Sequence, residues 1–130
     1  MTRIGRVIGL NADDIAEYKR IHAAVWPEIL TLLHSAGMRN YSIFLREPEN
    51  LLFAYLEYEG TDLQKDNLLI AASEDMKRWW ALTDPMQRPL DTRKAGEWWA
   101  DMEEVFHIAD SDEAGHRLNE PAPSAREEEG

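Results

Sequence analysis

The stretch Glu17-Tyr18-Lys19-Arg20-Ile21-His22-Ala23-Ala24-Val25-Trp26-Pro27-Glu28 sets the organisation of this chain. Read as helix, it places Tyr18, His22 and Trp26 four residues apart, hence one turn above another on one face. Ile15, Val25, Ile29 and Leu33 fall on the same arc, so the imidazole points into whatever the helix packs against. A histidine between a phenol and an indole suits a small-molecule site that moves protons. It equally suits a core with one hydrogen-bonded histidine, and spacing leaves both open. Pro27 has no N–H and clashes with the preceding turn. That predicts either a kink or break near residues 23–26, or a Pro-Glu start to a second helical segment.

Working outward, residues 3–10 read as a first strand, with Gly5 and Gly9 on one face where another element can come close. The helical region spans about residues 13–36, and Gly37 suits its end. Residues 38–46 and 51–58 alternate as strands and are joined by Glu47-Pro48-Glu49-Asn50, which predicts a hairpin. A helix follows over about residues 62–72. Ser73 then caps another, with Glu74 and Asp75 in its first turn and Met76, Trp79, Trp80 and Leu82 along it. Residues 87–96 show no period and read as a loop. Glu97-Trp98-Trp99-Ala100 reads as a turn or a binding segment, and residues 102–108 as the last strand.

The order is β-α-β-β-α-β, the ferredoxin-like arrangement of an α+β protein. One antiparallel sheet with helices on one face needs cover on the other. A second copy supplies it, so a homodimer is expected.

The 130 residues carry a net charge of -11, which argues against nucleic acid as a partner. From Asp110 onward seven acids face only Arg117 and Arg126. The expected organisation is therefore one domain over residues 1–109 and an acidic, disordered tail over residues 110–130. There is no cysteine, no run of membrane-spanning length and no signal-peptide pattern, so a soluble cytoplasmic protein is expected. No histidine or carboxylate spacing makes a metal site, and no Gly-rich phosphate loop or nucleophile elbow occurs. The adjacent pair Trp79-Trp80 points about 100° apart on a helix. One indole can pack in the core while the other lines a rim and meets the C–H face of a sugar. Filling a dimer interface is the other use of such a pair.

Taken in order, Y-x-x-x-H-x-x-x-W-P-E (Tyr18, His22, Trp26, Pro27, Glu28), N-Y-x-I-x-L from Asn40, N-L-L-F-A from Asn50, R-W-W from Arg78 and E-V-F from Glu104 form a specific set. Together they resemble the L-rhamnose mutarotase family over roughly residues 3–86 and 103–108. The resemblance implies a dimeric α+β barrel with a ferredoxin-like protomer. It implies that His22 is the proton donor and that Tyr18, Tyr41, Trp79 and Trp80 bind the sugar. Residues 87–101, with Trp98-Trp99, depart from the short Asn/Pro-rich segment of the family. Substrate preference is the property that this departure affects, so L-rhamnose is the first expected substrate and L-fucose the second.

A mutarotase interconverts the α and β anomers of a free sugar by opening and reclosing the ring. No cofactor is expected, because nothing is oxidised and no group is transferred. A side chain that gives and takes protons near neutrality is enough. The same barrel can host small monooxygenases and haem-degrading enzymes, or act as a non-catalytic sugar-binding module, since fold does not decide function. His22 within the aromatic stripe counts against pure binding, and the ordered motifs of the resemblance favour the mutarotase.

Overall fold

The computed structural model describes residues 1–110. The acidic tail expected from residue 110 onward lies outside them, apart from Asp110 itself. The chain forms β1 (Thr2–Leu10), a 3-10 turn, α1 (Ile15–His22), α2 (Pro27–Ser35), β2 (Met38–Arg46), β3 (Leu51–Tyr58), α3 (Leu63–Ala72), α4 (Glu74–Thr83), β4 (Gln87–Arg88) and β5 (Ala100–Met102). The sheet is antiparallel throughout, in the order β2-β3-β1-β4, with β5 also paired to β1. It curls into a half-barrel with the helices on one face, the ferredoxin-like architecture of the dimeric α+β barrel type.

The helical region divides at residues 23–26, and Pro27-Glu28 starts a second segment, as one of the two expected outcomes had it. α1 stops at His22, Trp26 takes an extended conformation (φ -58°, ψ 135°), and Pro27 opens α2 at its first position. A proline there sacrifices only an N–H that has no intrahelical partner. Trp26 therefore does not continue the Tyr18–His22 face. α3 and α4 meet at Ser73, which ends one and caps the other by accepting from the Met76 N–H at 3.2 Å. Asp62 caps α3 in the same way through the Lys65 N–H.

The fourth strand position is filled in two pieces. Gln87 and Arg88 pair with Leu10 and Gly9; the chain then leaves the sheet over residues 89–99 and returns along the same edge, setting Ala100 against Val7 and Met102 against Gly5. Gln87 thus belongs to the sheet and not to the expected loop. The expected strand over residues 102–108 is present only as Ala100–Met102. The ladder with β1 stops at Gly5↔Met102, although β1 itself continues through Ile4 and Arg3 to Thr2. Arg3 still reaches Glu104 at 3.0 Å, but Val105 (87% exposed) and Phe106 (70%) stand in the open. Among the described residues no ladder continues along this apolar alternation beyond Met102.

Two buried clusters fill the space between sheet and helices. One gathers Ile29, Met38, Leu56, Ile70, Met76 and Trp79. The other gathers Ile8, Leu10, Tyr18 and Leu52, with Ile15, Met86 and Trp99 packed against it. Ile8, Leu10, Ile29, Leu52 and Leu56 are fully buried, and each such side chain contributes about 1.5–3 kcal/mol.

Gly9 allows β4 to approach. A Cβ there would sit 2.8 Å from the carbonyl oxygen of Arg88, whereas one on Gly5 would meet only the end of the Met102 side chain at 3.4 Å. Gly9→Ala should therefore cost about 1–3 kcal/mol in urea unfolding, and Gly5→Ala should stay within about 1 kcal/mol. Equal effects would contradict the close approach at β4.

Candidate active site

The site lies where the two clusters fail to meet. A cavity of about 820 Å³ opens between the sheet and the helices, within the range of small-molecule sites, roughly 300–1,000 Å³. Arg6, Ile43 and Leu56 of the sheet, Tyr18 and His22 of α1, Trp79 and Trp80 of α4, and the returning residues Trp98 and Trp99 line it.

His22 bridges the two clusters. Its ring stacks on Tyr18 (centroids 4.2 Å apart, 26° between planes) and meets Trp79 edge-on (5.3 Å, 73°). Its Nδ1 lies 2.8 Å from the backbone carbonyl of Tyr18. A carbonyl only accepts, so Nδ1 carries the hydrogen and Nε2 is the ring nitrogen left for the cavity. Burial lowers the pKa of the imidazole below its ordinary value, against the opposing effect of the Tyr18 carbonyl. The neutral form, with a free lone pair on Nε2, is therefore the resting form at neutral pH.

Tyr18 is buried, and desolvation pushes its phenol up to about 12, so it stays protonated. Its oxygen accepts a hydrogen bond from Nε2 of the buried Gln87 at 3.1 Å, while Oε1 of Gln87 accepts from the Trp98 indole N–H at 2.8 Å. Tyr41 lies in the β2 bulge and is 41% exposed, yet it lines the cavity, and burial raises its pKa. Trp79 (7% exposed) and Trp80 (38%) divide as adjacent helix positions must, one in the core and one on the rim. Asp84 also lines the cavity, and burial raises its carboxyl above the usual range.

All five expected site residues, Tyr18, His22, Tyr41, Trp79 and Trp80, line this one cavity. Trp26 does not line it; it stands behind Trp79 with ring centroids 5.0 Å apart. Sequence reasoning missed Arg6, Asp84 and Gln87, which also line the cavity, and of these only Gln87 is bonded to Tyr18. It is a polar residue in a stretch without periodicity, and only pairing with Leu10 turns it inward. Among the described residues no group of three or more His, Asp and Glu side chains converges as a metal site, and no helix is long and apolar enough to cross a membrane.

A sequence model of the family described as L-rhamnose mutarotase matches residues 3–108. The chain belongs to the L-rhamnose mutarotase family. The L-rhamnose mutarotase of Lactiplantibacillus plantarum is 37% identical over 109 residues, 83% of this chain and 99% of that protein. One from Escherichia coli is 35% identical with the same coverage. The crystal structure of the L-rhamnose mutarotase from Formosa agariphila superposes with a TM-score of 0.66 at 28% identity, covering 84% of this chain and all of that one. The tetracenomycin F2 cyclase of Streptomyces glaucescens shares the fold (TM-score 0.60, 14% identity, 84% and 100% covered). As a family member the chain is a carbohydrate isomerase of the mutarotase type.

Because the folded imidazole releases its proton more readily than the unfolded one, the unfolded chain binds more protons in mild acid. The stability tied to His22 is therefore present above the ordinary imidazole range and lost as pH falls through it. NMR titration should place the His22 midpoint below that of free histidine, with hydrogen on Nδ1 in the neutral form. A midpoint above it would contradict control by burial.

Proposed function

We propose that this protein interconverts the α and β anomers of a 6-deoxy-L-hexose, L-rhamnose first and L-fucose second, by general acid–base catalysis through ring opening. The observation that carries this reading is a neutral imidazole with a free Nε2, held on an aromatic-walled cavity of sugar-binding size. The L-rhamnose named for its relatives supports the first choice of substrate.

In this reading His22 Nε2 takes the proton of the anomeric hydroxyl. The bond between C1 and the ring oxygen breaks, its electron pair goes to the ring oxygen, and the imidazolium returns its proton there. Rotation about C1–C2 and reversal of the same steps close the other anomer. The Tyr18 and Tyr41 hydroxyls hold sugar oxygens. Trp79 and Trp80 offer flat apolar surface to the C–H face and the methyl group. No cofactor takes part, since the proton taken from one oxygen is given to another.

The working unit is a homodimer. Residues paired across an antiparallel ladder share a face, and the helix-free face of the sheet carries Val7, Phe44, Phe53, Tyr55 and Met102. A second copy would cover these side chains and give Val105 and Phe106 a partner. A soluble, cytoplasmic setting fits a free monosaccharide substrate, and residues 1–109 act as one domain.

Saturation-transfer NMR on L-rhamnose and L-fucose tests the assignment. Wild-type protein should accelerate anomer exchange of L-rhamnose most. His22→Ala should lose about 10²–10⁴-fold, the usual contribution of a positioned acid–base group, while keeping its fold. Undiminished exchange in the variant would refute the role of His22.

A further inference from the structure

We infer that Gln87 and Trp98 are positioning residues that turn the Tyr18 O–H into the cavity as a fixed hydrogen-bond donor to the sugar oxygen that gains charge as the ring opens. This role rests on the mutarotase reading above and adds to it the segment over residues 87–98.

The inference follows from counting hydrogens. The Trp98 indole N–H only donates, so the atom of Gln87 facing it at 2.8 Å must be the carbonyl oxygen. That fixes the amide: its NH₂ faces the Tyr18 hydroxyl at 3.1 Å and donates to it. An amide nitrogen does not accept, so the phenolic hydrogen cannot point at Gln87. Tyr18 has no hydrogen-bond acceptor among the described residues, and it lines the cavity together with Gln87 and Trp98. The hydrogen is left for a ligand. Without Trp98 the amide can turn over, present its oxygen to Tyr18 and draw the phenolic hydrogen away from the cavity.

The fold is built to hold this arrangement. Gln87 sits in β4, with its backbone paired to Leu10. The excursion that returns Trp98 is ordered by its own bonds: Arg93 N–H to Leu90 O at 3.2 Å, Glu97 N–H to Lys94 O at 3.1 Å, and the Glu97 carboxylate accepting from the Lys94 N–H at 3.0 Å. Gly96 supplies the left-handed turn (φ +86°). Trp99 then packs against the cluster of Ile8, Leu10, Tyr18 and Leu52. Trp99 anchors the loop, which leaves Trp98 free to reach Gln87.

The test is a set of double variants read by exchange NMR over a range of L-rhamnose concentrations. Gln87→Leu and Trp98→Phe should each lower kcat by about tenfold with KM little changed, part of the roughly 10²–10³-fold cost of removing a charge-stabilising donor. In a Tyr18→Phe background both should have no further effect, because the group they position is gone. The Trp98 indole proton should also lose its hydrogen-bonded downfield shift in Gln87→Leu. Losses that multiply in the Tyr18→Phe background, or an unmoved indole resonance, would overturn this role while leaving the mutarotase reading intact. Failure of the wild-type protein to accelerate exchange would overturn both.

Discussion

The hydrogen bond from His22 Nδ1 to the carbonyl of Tyr18 is the constraint on which the site depends. It forms in the last turn of α1, where the backbone places residue 22 above residue 18 and lets the two rings stack. With Nδ1 committed, the ring has one orientation and one neutral tautomer, and its remaining nitrogen is turned to the cavity. An unfixed imidazole on the same face would sample both tautomers and lose the alignment that proton transfer requires.

Beside that bond the helix layer is interrupted. Pro27 starts α2 afresh, and the backbone between the two helices is extended at Trp26. The helix layer is thereby divided, with one buried cluster under α2 and α4 and the other under the start of α1. His22 and Trp79 touch across the gap and wall it without filling it. The sheet contributes from below: the close contact at Gly9 seats β4, and β4 carries Gln87 to the far side of Tyr18. The cavity is the space between two separately packed cores.

Much of this was legible in the sequence because it rests on local rules. The i, i+4 spacing put Tyr18 and His22 together, the caps at Asp62 and Ser73 set the starts of α3 and α4, and the adjacent indoles Trp79 and Trp80 had to divide between core and rim. The illegible parts depend on contacts distant in the chain. The helical period carries Trp26 onto the Tyr18–His22 face only if it runs on past His22, where α1 in fact stops. Residues 102–108 alternate like a strand, but pairing with β1 stops at Met102 and leaves Val105 and Phe106 exposed. Trp98 was legible as part of a turn or binding segment, but it meets Gln87 only because residues 89–99 leave the sheet and return, and no period or motif announces Gln87.

The pH dependence of L-rhamnose anomer exchange by the wild-type protein tests the central claim most directly. A neutral His22 acting first as a base predicts an acid limb in kcat/KM whose midpoint lies below that of free imidazole, matching the His22 titration by NMR. Exchange that stays flat through that range, or that rises as His22 becomes protonated, would contradict the account.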